Sequence, residues 1–180
     1  TNVESDNENH LKYLAGDISQ TIHFPIPTTT TSYTLFHRTK YNGNNKNRIF
    51  TTHTNADPCD WLSGFWYSRI GVAHHGPKGF DGWITSINSN HHSSEWVVST
   101  DQTDLYRSNG IQRSNDNDNV VGTYGSMCQL WVNGDSYQRS DWALSEVILY
   151  SRELTLQEII SVENYLNSRL PSGQPTGSPS

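Results

Sequence analysis

The chain has 180 residues, of which 17% are charged and 33% hydrophobic, and its formal net charge is −6. Sparse, net negative charge removes the electrostatic footing for nucleic-acid binding, and no run approaches the ~18 to 20 apolar residues of a helical membrane span. Aromatic residues make up 11%, with six Trp and nine Tyr, which is a β-rich, polar-surfaced profile rather than that of a helical bundle.

In chain order, residues 1–16 read as polar and irregular, and Thr28-Thr-Thr-Thr31 as a surface loop. Residues 33–41 alternate cleanly and precede Asn42-Gly43, a type I′ hairpin signal that makes residues 48–52 the returning strand. Short strands follow at 64–67, 70–74, 82–85 and 95–99. Residues 104–107 run into a second hairpin signal, Asn109-Gly110, and out through Ile111-Gln112. A third such turn, Asn133-Gly134, follows residues 129–132, and residues 142–150 form the longest apolar run, expected to be a central strand. Thr155-Leu-Gln-Glu158 is a capping box that starts a helix. Leu156, Ile159, Ile160, Leu166 and Leu170 fall on one helical stripe, and Pro171 ends it.

The last ten residues repeat a Pro-(Ser/Thr)-Gly-x unit. Proline at every fourth position biases the chain toward polyproline II, and nothing between the prolines is worth burying. The expected organisation is therefore a domain over residues 1–170 and an extended tail over 171–180. A hydroxyl follows each proline, as in O-glycosylated stalks. Ser172, Thr176 and Ser180 are thus candidate glycosylation sites, and Pro171, Pro175 and Pro179 candidate hydroxyprolines. The opening Thr1-Asn2-Val3, without Met, is expected of a piece processed or excised from something longer. Cys59 and Cys128 are an even count, and one disulfide is the simplest assignment, with two buried thiols as the alternative. None of the seventeen asparagines begins an Asn-x-(Ser/Thr) acceptor.

Two constellations carry chemistry. His74-His75 and His91-His92 are adjacent pairs, but neighbours on a strand point to opposite faces, so neither pair alone chelates an ion. Trp61, Trp66, Tyr67 and Trp83, interleaved with Asp60, His74, His75 and Asp81, form a candidate sugar-binding platform on which rings stack and polar groups take hydroxyls. The competing assignment for these rings is the core between two sheets.

Residues 140–158 with 162–166, residues 33–36 and residues 104–110 resemble, respectively, the final strand and C-terminal helix, an early strand, and a hairpin of laminin-G-like, concanavalin-A-like domains. The resemblance covers residues 10–170. It implies an all-β fold, a two-sheet antiparallel jelly-roll sandwich with one C-terminal helix, here carrying an extended polyproline-like tail, and it implies no single activity. Tails of Pro-Ser-Gly-Gln and Pro-Thr-Gly-Gln resemble those of surface proteins of diatoms, brown algae and oomycetes, which implies a stramenopile-like source. Some laminin-G-like domains hold calcium at a loop rim, which makes Asp116 and Asp118 candidate ligands. That segment lacks the glycine and distal Glu of an EF-hand, and a solvated turn is the simpler reading. No other cofactor is expected.

Jelly-roll glucanases share this general fold, but their Glu-x-Asp-x-x-Glu arrangement is absent. Asp141 and Glu146 are five apart and face opposite sides of a regular strand, Glu95 stands alone, and no Gly-x-Ser-x-Gly elbow occurs, so no catalytic residues are expected. The expectation is a non-enzymatic extracellular subunit of a cell surface or wall, forming a filament or array with copies of itself and with glycans. The rival is a lectin-like module recognising a polysaccharide in trans, and a lectin should leave Trp rings exposed in a concavity.

Overall fold

The computed structural model describes residues 2–6, 11–26, 32–53, 59–77, 82–87, 96–114 and 127–168. These contain strands β1 (Asn2–Asp6), β2 (Leu11–Gly16), β3 (Ile22–Phe24), β4 (Thr34–Tyr41), β5 (Phe50–Thr51), β6 (Cys59–Trp66), β7 (Arg69–Pro77), β8 (Val97–Asp101), β9 (Tyr106–Ser108), β10 (Ile111–Gln112), β11 (Leu130–Val132) and β12 (Trp142–Tyr150), and helix α1 (Leu156–Ser168). Seven strands form a sheet in the order β1-β2-β12-β4-β8-β9-β10, and five form a second in the order β3-β11-β5-β6-β7. Every pairing between these strands is antiparallel, so the chain folds as a β-sandwich with one helix.

Alternation along the strands fills the space between the sheets. Leu35 of β4, Val97 of β8, Trp142 and Leu144 of β12 meet Phe50, Trp61, Phe65, Leu130 and Val132 of the smaller sheet in one cluster. Each fully buried side chain of this kind contributes about 1.5–3 kcal/mol relative to exposure. A polar layer runs through the same interior. His37 is buried with its ring against Phe50 at 4.3 Å, and its nitrogens meet Thr39 Oγ1 at 2.8 Å and Ser63 Oγ at 3.1 Å. Burial holds its pKa down to about 3, so His37 is neutral in the folded chain.

Cys59 and Cys128 are joined in a disulfide that ties β6 to the approach to β11, with Cα atoms 6.3 Å apart. Thr155 and Glu158 exchange the capping-box bonds, Glu158 N donating to Thr155 Oγ1 and Thr155 N to Glu158 Oε2. Hydrogen bonding from Arg152, then from Thr155, holds the Glu158 carboxyl well below the usual carboxylate range. Ile159 and Leu166 bury against Phe36, Val98 and Leu154 on the outer face of the larger sheet, while Leu156 in the first turn stays exposed. Glu163 is buried among them, accepting from Arg107 Nε at 2.9 Å, Arg107 Nη2 at 3.0 Å and Thr100 Oγ1 at 2.8 Å. Leu170 and the tail lie outside the described residues.

Several sequence expectations are corrected. The N-terminal stretch is not irregular: β1 and β2 pair as a hairpin at the edge of the larger sheet, where a polar strand is tolerated. Asn42-Gly43 does not close a hairpin, because β4 lies in the larger sheet and β5 in the smaller, and the segment between them crosses from one to the other. Gly43 is there for close approach, since a Cβ on it would lie 2.5 Å from Asp141 Oδ2, the atom that also accepts from Asn45 N. Asn109-Gly110 does form the expected turn, with φ of 47° and 79°. At Asn133-Gly134, Asn133 is again left-handed, at φ 57°, and its side chain has a second task. Asn133 is buried, and its amide donates to the carbonyls of Asp17, Gln20 and Ser140, pinning three loops together.

Candidate carbohydrate-binding face

The outward side chains of the smaller sheet converge on one surface. On β6, Trp61, Ser63 and Phe65 point inward, which sends Asp60 and Trp66 out. β6 turns into β7 through Tyr67 and Ser68, both at positive φ, 45° and 63°. A two-residue turn of this kind normally takes Asn-Gly, and each ordinary L-residue placed in the left-handed region costs about 1–2 kcal/mol. Ser68 N donates to the Lys46 carbonyl at 2.7 Å, which holds the turn. The strained turn displays Tyr67, 52% exposed, at the tip of the hairpin.

Around it the rings form a chain. Trp66 meets Tyr67 edge-on at 4.9 Å and Trp83 at 4.7 Å, Trp83 meets His74 at 5.1 Å, and the Arg69 guanidinium sits 5.1 Å over Trp66. Trp83 is brought there by residues 82–85, which run along the edge of β7 through His75 N to the Gly82 carbonyl and Ile84 N to the Ala73 carbonyl. That approach requires glycine, because a Cβ on Gly82 would lie 2.7 Å from Gly76 Cα.

Beside this aromatic wall is a cleft of about 220 Å³ lined by Arg48, His53, Asp60, Asp135, Tyr137 and Gln138, with Cys59 of the disulfide also contributing. Gln138 Oε1 accepts from Trp66 Nε1 and from Arg48 Nε, both at 3.0 Å, linking wall to cleft. Arg48 also donates to both carboxylate oxygens of Asp60, and its Nη1 lies 3.9 Å from Asp135 Oδ2. Asp135 Oδ1 accepts from Tyr137 N and Gln138 N, which fixes the loop and leaves the Tyr137 ring 85% exposed at the rim. On the far side His53 meets Trp131 at 5.1 Å, and Trp131 stacks on His23 at 4.2 Å.

Of the proposed platform residues, Trp66, Tyr67 and Trp83 lie together on this surface. Trp61 and His75 do not: both are fully buried between the sheets. Trp61 Nε1 donates to Tyr33 Oη, Tyr33 Oη donates to Asp101 Oδ1, and His75 Nε2 lies 3.0 Å from the same oxygen while its Nδ1 meets the Thr103 carbonyl. Burial opposes a charge on His75, yet the Asp101 carboxylate outweighs it and raises the His75 pKa. His74 is also buried and serves packing, its Nδ1–H donating to the Asp60 carbonyl and its Nε2 accepting from Gly82 N. Alternation explains the split, since residues an odd number apart on a strand face opposite sides.

Arg48, His53, Asp135, Tyr137, Gln138 and Trp131 were not anticipated. Only Trp131 left a signal, as the outward residue between the buried Leu130 and Val132. Asp81, Glu95, His91, His92, the calcium candidates Asp116 and Asp118, the glycosylation candidates Ser172, Thr176 and Ser180, and Pro171, Pro175 and Pro179 lie outside the described residues. Among the described residues no group of three or more His, Cys, Asp or Glu side chains is placed to hold a metal ion, and no helix is long and apolar enough to cross a membrane.

No family model and no curated protein matches the sequence. Among solved structures the chain is similar to a Trypanosoma rangeli sialidase, at 12% identity and a TM-score of 0.56, over 93% of this chain and 29% of the sialidase. It is similar also to that sialidase in complex with 2-keto-3-deoxy-D-glycero-D-galacto-2,3-difluoro-nononic acid, at 13% identity and 0.53, with the same coverage. The native heptameric SAP-like pentraxin of Limulus polyphemus aligns over 76% of this chain and 71% of its own, at 14% identity and 0.47. This chain spans less than a third of the length of the sialidase chains, and at these identities the likeness establishes the sandwich fold.

Proposed function

We propose that the chain is a non-catalytic carbohydrate-binding module whose ligand lies across the outer face of the smaller sheet. The observation that carries this reading is the arrangement on that face: a polar cleft flanked on one side by Trp66, Trp83 and Tyr67 and on the other by Trp131, His23 and His53. Sugars need both kinds of surface, apolar ring faces for their C–H groups and planar hydrogen-bonding groups for their hydroxyls. The half-buried tryptophans form the walls, and the exposed rings of Tyr67 and Tyr137 offer the free faces. At about 220 Å³ the cleft is smaller than the ~300–1,000 Å³ typical of drug-sized ligand sites, which suits a single sugar unit of a longer chain.

An extracellular setting is supported by the disulfide, which persists in oxidising compartments. A role as a filament subunit, with copies of the chain joined through an O-glycosylated tail carrying hydroxyprolines, is supported by the sequence of residues 171–180. Glycan-array binding followed by titration tests the module. Wild-type protein is expected to bind a glycan, and Tyr137→Ala, at a site too exposed to matter for folding, to weaken that binding several-fold. Binding that is unaffected by both Tyr137→Ala and Trp66→Ala would place the ligand elsewhere.

A further inference from the structure

The cleft also specifies the charge of its ligand. Among the described residues that line it, the one cation apart from histidine, Arg48, is already committed, with Nε donating to Gln138 Oε1 and the two terminal nitrogens to the Asp60 carboxylate. Asp135 stands against the same guanidinium with Oδ2 at 3.9 Å, beyond hydrogen-bonding distance. One guanidinium thus faces two carboxylates, and the cleft carries a net negative charge in a chain already at −6. Neighbouring guanidiniums among the described residues are engaged outside the Asp60–Asp135 carboxylate pair. Arg139 turns to the backbone carbonyls of Asp135 and Ile18, and Arg69 lies over Trp66. The amide of Gln138 is oriented as well. Its oxygen takes both Trp66 Nε1 and Arg48 Nε, which leaves the amide N–H groups as donors with no partner among the described residues.

Resting on the proposal that this face binds glycans, we infer that the cleft selects a neutral sugar unit and rejects carboxylated or sulfated ones. Hydroxyls of the sugar donate to Asp135 Oδ2 and accept from the Gln138 amide. A carboxylate or sulfate in the same place meets Asp135 and Asp60 with no uncommitted guanidinium to pair with, and like charges brought together in a partly desolvated cleft repel.

The test uses polymer pairs that differ only in charge: polygalacturonate against its fully methyl-esterified form, and a sulfated galactan against the same galactan desulfated. Affinities are measured by affinity electrophoresis and calorimetry at low salt and pH 7.5, where ordinary histidines are mostly uncharged. A glycan array runs alongside. The neutral member of any bound pair is expected to bind at least about tenfold tighter, equivalent to about 1.4 kcal/mol. Asp135→Asn keeps the side-chain oxygen that caps the Tyr137 and Gln138 amides while removing the charge, and should narrow that gap to about twofold or threefold.

Equal or tighter binding of the charged member overturns the inference and leaves glycan binding intact. Discrimination that survives unchanged in Asp135→Asn overturns the assignment to this cleft. If no glycan on the array or in either pair binds, the binding module itself is refuted and the inference falls with it.

Discussion

His37 makes the sandwich acid-sensitive in a way that can be calculated. Its ring is enclosed between the sheets and its pKa is held down to about 3, whereas an unfolded histidine titrates near 6.5. Between these values the unfolded chain binds a proton that the folded chain does not, so stability is full above the unfolded pKa and declines as pH falls toward the folded one. From pH 6.5 to 5 the loss amounts to about 1.5 kcal/mol, the slope approaching ~1.4 kcal/mol per pH unit once the unfolded histidine is mostly protonated, before most carboxylates begin to titrate. His75 adds nothing in that window. Its folded pKa is raised, so below 6.5 it is protonated in both states, and its contribution declines only as pH rises through the folded value. The two histidines together place the maximum of their combined contribution near the unfolded histidine pKa. The assay is urea denaturation followed by Trp fluorescence at several pH values between 5 and 8, on wild type and on His37→Gln. The Gln amide still reaches Thr39 and Ser63 but does not titrate, so its cost is the same at each pH. Wild type should lose about 1.5 kcal/mol between pH 6.5 and 5, and His37→Gln little. A flat wild-type profile, or an equal slope in both proteins, would refute the assignment.

Removing the disulfide by Cys59→Ala/Cys128→Ala should destabilise by about 4 kcal/mol in the chain-entropy picture, given the 69-residue separation it closes, and denaturant midpoints measure the loss. Glu163→Ala should cost about 3 kcal/mol because it strands the buried Arg107; a lower melting temperature and faster amide exchange in α1 would show the helix loosening from the larger sheet. Replacing Tyr67-Ser68 by Asn-Gly should relieve two left-handed residues and raise stability by about 1–2 kcal/mol, while glycan affinity falls with the loss of the exposed ring. A gain in stability with affinity unchanged would remove Tyr67 from the binding face.

Features encoded over a few residues were legible in the sequence. The capping box at Thr155 and Glu158 and the turn at Asn109-Gly110 depend on chain neighbours alone, and both form as read. Asn42-Gly43 carried the same dipeptide signal but not the same structure, because the destination of the next strand is decided by burial across two sheets. The divided platform was recoverable. Trp61 and Trp66 are five residues apart, and His74 and His75 are adjacent, so a regular strand must send one of each pair inward. What no local pattern carries is the cleft. Arg48, Asp60 and Asp135 come from three separate segments, and their meeting depends on the loop after β11 folding back over the smaller sheet, held partly by Asn133.

The docking of the helix gives the sandwich two unlike outer faces. Through Ile159, Glu163 and Leu166, α1 covers the outer face of the larger sheet, while the cleft opens on the outer face of the smaller one. A flat surface laid against the helix side therefore meets a layer of helix rather than bare strands, and leaves the exposed rings of Tyr67 and Tyr137 unobstructed.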